Sequence, residues 1–154
     1  MISNPNTIYE IRYDFDLNDA TVDIPEGCIL KFEGGSLGNG KLIGDNTSIE
    51  SAIVCIFRSM GFGGTFNIPV AYSEWFGAKG NGENDDTSAI NSSITLSKTV
   101  KLLSGKNYKV TSSILLRSNT SLIGEFNTKI SSEGIFEIIK IGYRSTVRDL
   151  IFEL

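Results

Sequence analysis

Asp85 and Asp86 are adjacent carboxylates, and paired carboxylates are the residue type that glycoside hydrolysis uses on either side of a sugar bond. Neighbouring residues at the entry to a helix seldom present their carboxyls across a sugar. Their alternative work is to accept hydrogen bonds from the orphan amides of a helix's first turn. The residues that follow favour that role: Thr87-Ser88-Ala89-Ile90 starts an apolar stripe that Ile94 continues, which predicts one amphipathic helix of roughly 10 residues. Asp85 or Asp86 is its N-cap, and Asp85, Asp86 and Thr87 together form the cap. Gly77, Gly80 and Gly82 just upstream allow positive φ and predict a hinged turn leading into the helix.

Other chemistry-bearing groups are weaker. Tyr72, Trp75 and Phe76 could stack a sugar ring on their flat faces, but packing between the helix and a neighbouring coil uses the same rings. Asp14-Phe15-Asp16-Leu17-Asn18-Asp19 opens like a calcium loop, yet Asp19 stands where glycine is needed and Pro25 where the bidentate glutamate is needed, so an acidic turn is the better reading. Asn81, Glu83 and Asp85 alternate oxygens that could surround a cation. The glycines from Gly34 to Gly40 lack the Lys-Ser/Thr ending of a phosphate loop and read as β-corners. Glu133 and Glu137 have no evident partner and default to a solvated face. The pattern calls for no metal, no cofactor and no catalytic residue.

Composition narrows the classes further. The 154 residues contain no histidine, which removes Ser-His-Asp and Cys-His nucleophilic catalysis and any His-containing zinc site. Cys28 and Cys55 sit in apolar runs and read as buried thiols, too few for a disulfide framework. A net charge of −4 argues against nucleic acid or an anionic membrane surface as partner. No apolar stretch is long enough to span a membrane, and Met1-Ile2-Ser3-Asn4-Pro5-Asn6 has neither the basic nor the apolar region of a secretory signal.

Sixteen glycines and three prolines, with many Ser, Thr and Asn, suit a turn-rich β protein. Before the helix, β-like runs lie at Thr7 to Tyr13, Thr21 to Ile24, Cys28 to Phe32, Lys41 to Ile43 and Ile53 to Phe57. Turn signals such as Asn18-Asp19, Gly38-Asn39-Gly40 and Gly44-Asp45-Asn46 separate them. Residues 61–74 read as a connection. After the helix the runs are Val100 to Leu103, Tyr108 to Val110, Ser113 to Leu116, Ser121 to Gly124, Ile135 to Ile141 and Val147 to Phe152. The spacing fits an antiparallel sandwich or a solenoid. An internal repeat favours the solenoid: Leu42-Ile43-Gly44-Asp45-Asn46-Thr47-Ser48-Ile49-Glu50-Ser51 returns, with one residue inserted, as Leu122-Ile123-Gly124-Glu125-Phe126-Asn127-Thr128-Lys129-Ile130-Ser131. The repeat predicts Ile43 and Ile123 in equivalent coil positions with their side chains inward. Three stretches result: a β-rich region over 1–70, the turn and helix over 71–98, and solenoid coils of about 20–25 residues over 99–154. The apolar strand reaching Leu154 predicts that the solenoid continues in a longer polypeptide.

The run Gly77-Ala78-Lys79-Gly80-Asn81-Gly82-Glu83-Asn84-Asp85-Asp86-Thr87-Ser88-Ala89-Ile90 closely resembles the signature that opens the right-handed parallel β-helix domain of the pectate-lyase-like superfamily, with Asn81 where that pattern usually carries Asp. The resemblance implies an all-β, right-handed parallel β-helix with one short capping α-helix, and a motif that builds the cap and does no chemistry. The segment from Asp19 to Ser51, especially Ile24-Pro25-Glu26-Gly27-Cys28-Ile29-Leu30-Lys31-Phe32-Glu33-Gly34-Gly35-Ser36-Leu37, is similar to N-terminal regions of tail proteins from phages of gut Bacteroidetes, including crAss-like phages. That likeness implies the virion-attachment part of a tailspike or receptor-binding protein, located in the virion tail. It implies a homotrimer that contacts other tail proteins and reaches host surface polysaccharide through distal parts. Two alternatives are a polysaccharide lyase or glycoside hydrolase, with any active residues in downstream coils, and a purely structural tail connector.

Overall fold

In the computed structural model, which describes residues 2–153, the chain divides between Ile68 and Pro69 into two units. Every strand pair among the described residues is parallel. Each unit is a parallel β-solenoid, and one short helix accompanies the strands.

The first unit contains β1 (Ile8–Ile11), β2 (Asp14–Asp16), β3 (Thr21–Asp23), β4 (Ile29–Phe32), β5 (Ser36–Glu50) and β6 (Phe57–Phe66). β5 serves three faces in turn: Ser36 to Gly38 pair with β2, Lys41 to Ile43 with β3, and Ser48 to Glu50 with β4. It bends at Asn39 and Asn46, whose φ of 52° and 50° are left-handed values that asparagine tolerates better than most residues. β6 stacks on β5 from Leu37↔Phe57 to Thr47↔Phe66. Leu30, Leu42 and Phe57 are buried inside, and Phe32, Phe57, Phe62 and Phe66 form an edge-to-face series with centroids 5.0–5.7 Å apart.

The structure corrects the reading of two segments here. Gly61-Phe62-Gly63-Gly64, expected in a connection, lies inside β6. At Gly63 and Gly64 the coils approach too closely for side chains: a Cβ would fall 2.8 Å from the Ile43 side chain at Gly63 and, at Gly64 with φ 73°, 2.0 Å from the Gly44 carbonyl oxygen. Conversely, Ile53 to Ile56 are not strand. β5 ends at Glu50 and the ladder to β6 starts only at Phe57, so this segment crosses between faces, leaving Ile53 and Val54 exposed and Cys55 half-buried; Cys28 is fully buried.

The second unit begins with β7 (Ala71–Tyr72), a 3-10 turn (Ser73–Phe76), β8 (Asn81–Asp85) and helix α1 (Thr87–Leu96). Short strands follow: β9 (Thr99–Lys101), β10 (Asn107–Lys109), β11 (Ile114–Leu116), β12 (Ser121–Ile123), β13 (Lys129–Ser131), β14 (Ile139–Ile141), β15 (Thr146–Arg148) and β16 (Ile151–Glu153). They stack as β7-β9-β12-β15, β8-β10-β13-β16 and β11-β14. On the third face α1 packs against β11, where a further strand would otherwise stand. The coil-to-coil bonds of Ser104, Ser113 and Thr128 span 22 to 25 residues of sequence. Val100, Leu122, Tyr108, Ile130, Ile114 and Leu116 point inward and meet Ala89, Ile90 and Ile94 of the helix.

Helix length and stripe match the sequence reading, whereas β8 replaces part of the expected turn: Gly80, at φ 58°, leads into a strand paired with β10, and Gly82, at φ 76°, lies within it. Ile135 is fully exposed and the strand starts only at Ile139. The repeat holds in geometry but with the inward residue shifted by one. Leu42 and Leu122 are buried, at 1% and 0% exposure, while Ile43 and Ile123 are half-buried. Strand alternation makes this unavoidable, since only one of two neighbours can face the core. The corners also correspond. Asn46 and Asn127 are left-handed, and the buried hydroxyls of Thr47 and Thr128 accept the Asp45 and Glu125 amides at 3.1 and 2.9 Å.

Candidate functional site

One cluster of polar side chains in the second unit lies along the segment from Ser73 to Thr87. Asp86 occupies the N-cap position of α1, yet its carboxylate makes no capping bond to the helix. It turns back and accepts the amides of Lys79 and Gly80 at 2.6 and 3.0 Å, tying the glycine loop to the helix start. Asp85 does the first-turn work: its carboxylate accepts the Thr87 amide at 3.0 Å and the Thr87 and Thr111 hydroxyls at 2.5 and 2.6 Å. The two neighbours therefore lie in opposite electrostatic settings. Burial pushes Asp86 up, partly opposed by its two amide donors and reinforced by the negative charges of Glu74 and Asp85. Asp85 also pays a burial cost, but hydrogen bonds from Thr111 and Thr87 outweigh it and hold the group below the ordinary aspartate value.

A second cluster escapes sequence reasoning altogether. Glu74 is buried in the 3-10 turn and accepts the Tyr108 hydroxyl at 2.5 Å; the Tyr108 oxygen in turn accepts the Leu103 amide at 2.9 Å. Lys106 places its ammonium 3.5 Å from the same Glu74 oxygen and 3.2 Å from the Lys79 carbonyl. Burial and the bond to Glu74 push the Tyr108 phenol far above its ordinary value, so it stays a neutral donor. Nothing in Ser73-Glu74-Trp75-Phe76 itself points to a partner 34 residues away. Tyr108 is fully buried and Glu74 nearly so, which keeps both out of reach of a polymer in solution.

Helix α1 supplies a third element. The Asn91 carboxamide accepts the Leu115 amide at 2.8 Å and donates to the Ser113 carbonyl at 3.2 Å, while the Thr87 hydroxyl accepts the Thr111 amide at 2.9 Å. Asn91 thus imitates a peptide group of a neighbouring strand at the edge of β11, and Thr87, one helical turn earlier, holds the Thr111 amide ahead of that strand.

The remaining sequence candidates are placed as follows. Trp75 is 4% exposed and packs edge-on against Tyr72 at 5.6 Å, and Phe76 packs against the core; Tyr72 is half-buried. Gly77, at φ 91°, ends the 3-10 turn and sends its amide to the Glu74 carbonyl. Asn81 spends its side-chain oxygen on the Glu83 and Asn84 amides, so the alternating oxygens of that stretch are not free to surround a cation. Asp14 accepts Ser36 at 2.6 Å and Asp16 accepts the Asn18 amide and Asn39, interactions that lower both carboxyls and pin a solenoid corner. Glu133 is exposed and paired with Lys109 at 3.0 Å; Glu137 is exposed. No described helix is long and apolar enough to cross a membrane.

No protein-family model, curated protein or solved structure matches the chain. What the geometry defines is a parallel β-solenoid whose polar clusters serve caps, corners and edges.

Proposed function

We propose that this chain is the virion-attachment part of a phage tailspike or receptor-binding protein, serving adhesion to host surface polysaccharide. The observation that carries the reading is the parallel solenoid opened by the Gly77–Thr87 motif and closed at the β11 edge by α1. A stack of rigid coils suits a shaft that transmits load and displays residues along its faces. The polar clusters support a non-catalytic role for these residues, since Asp85, Asp86, Glu74 and Tyr108 are consumed by internal hydrogen bonds. In its working form the protein is a homotrimer, an arrangement that would cover apolar surface such as Leu115 and Ile141. The adsorption assay tests this reading: an antibody raised against the chain should block attachment of phage particles to host cells. Undiminished attachment at saturating antibody, with no chain detectable in purified particles, would overturn it.

A further inference from the structure

Among the described residues, every non-glycine residue at positive φ is asparagine, aspartate or serine except Arg144, at φ 55°. The neighbouring coil has Asn119, at φ 60°, in the same place: the Asn119 amide bonds the Tyr143 carbonyl and the Thr146 amide the Thr120 carbonyl, both at 2.9 Å, so the two corners stack. Arginine tolerates this conformation less well than asparagine, and such an outlier persists only where its surroundings hold it. Here the Ser145 hydroxyl does so, donating to the Arg117 carbonyl at 2.6 Å and accepting the Thr120 amide at 3.3 Å.

The same corner is cationic and uncompensated. Arg117 and Arg144 are exposed, and neither has a carboxylate partner among the described residues; Lys98, whose carbonyl accepts the Ser121 amide at 2.7 Å, and Lys140 on β14 are likewise exposed and unpaired. By contrast Lys101, Lys106, Lys109, Lys129 and Arg148 each have a carboxylate within 4.0 Å. The nearest acids in sequence stand off. Glu137 is bonded through its carbonyl to Ser113, at the opposite end of β11 from Arg117, and Asp149 pairs with Arg148 beyond β15. Arg117 has a coil on either side, carrying α1 and β14, so its exposure is lateral. The corner lies past the end of β11, beside the face that carries Leu115.

We propose that this corner binds the anionic group, carboxylate or phosphate, of a charged surface polysaccharide. The planar guanidinium fork suits either group, and the Arg144 fork is oriented by the exposed Tyr143 ring, 5.1 Å from its centroid. Exposed Ser118 and Asn119 can bond neighbouring hydroxyls. The chain's surplus negative charge belongs to the first unit, which has nine acids to four bases, whereas the second has nine to ten. The inference rests on the polysaccharide-adhesion reading and gives it a place and a charge.

Affinity electrophoresis of the full chain through gels containing polygalacturonate, poly(glycerol phosphate) or dextran tests it. Retardation by one or both anionic polymers, weakened by added salt and absent with dextran, is the expected result, and the polymer that retards identifies the anion. Arg117→Gln combined with Arg144→Asn should weaken retention about tenfold. The charge-matched pair Lys41→Gln and Lys79→Gln, exposed residues elsewhere, should leave it unchanged. Arg144→Asn alone should hold or raise the melting temperature, because asparagine suits the left-handed corner; a lower value would make Arg144 a structural part instead. Retention of the arginine double equal to wild type, an equal loss in the lysine pair, or no retardation by either anionic polymer overturns the site while leaving antibody blockade of adsorption untouched. So does retardation by single-stranded DNA alone, which would make the corner a nucleic-acid contact.

Discussion

The two units solve the same folding problem with different corners. In the first, β5 passes two bends through single left-handed asparagines and remains one continuous ladder, and aromatic rings from Phe32 to Phe66 fill the interior. In the second, most strands are three residues long, the interior is mainly aliphatic, and the fully buried ring of Tyr108 needs Glu74 to satisfy its hydroxyl. Tight corners leave little to display. Long corners carry side chains such as Phe126 into solvent while bonds to the neighbouring coil hold the backbone.

The correspondence between units is most sharply tested at the repeat. Leu42→Ala and Leu122→Ala should each destabilise by about 2–5 kcal/mol, whereas Ile43→Ala and Ile123→Ala, half-buried, should cost clearly less. Urea denaturation of the four variants checks this, and equal losses at leucine and isoleucine would break the assignment of the inward row.

The buried polar contrast comes next. Tyr108→Phe removes the Glu74 partner while keeping the ring, and should cost about 1–3 kcal/mol in thermal or urea unfolding of the second unit. No comparable loss is expected on Phe57→Leu beyond that of lost volume, because that core position in the first unit carries no polar group. A neutral Tyr108→Phe result would mean that Lys106 and the Ser73 hydroxyl suffice for Glu74.

Asn91→Ala should destabilise by about 1 kcal/mol and speed hydrogen exchange at the Leu115 amide more than at the Leu122 amide, which lies within a paired strand. Equal exchange at both would remove the strand-mimic role.

The smallest effect is in pH dependence. Asp85 has a lowered folded-state value, so its contribution is present above the ordinary aspartate value of 3.8 and is lost as pH falls through the folded value. Asp86 has a raised value, so its contribution is greatest below 3.8 and declines as pH rises through the folded value. The penalty of Asp85→Asn should therefore shrink on acidification while that of Asp86→Asn grows, read as melting temperature against pH.

Much of this architecture was legible because corners have chemical signatures. Asn18, Asn39, Asn46 and Asn127 all take left-handed φ, and each stood in an anticipated turn or repeat. The single helix was legible from Ala89, Ile90 and Ile94 alone. The glycine strand over Gly61 to Gly64 was not, since the close approach of Ile43 to Gly63 and of Gly44 to Gly64 comes from the neighbouring coil and has no local trace. The same holds for Glu74: its partner Tyr108 is 34 residues away, and only the stacking of coils brings them together. The division of labour within Asp85-Asp86 was also hidden, because both are good caps by type and only the position of the Lys79–Gly80 amides decides which carboxylate turns back.

Electron microscopy of phage particles labelled with an antibody against this chain tests the central claim most directly. The account predicts label on the tail, with three-fold density at the labelled position. Purified particles that carry no label, together with a monomeric full-length protein recovered from the host cell, would contradict it.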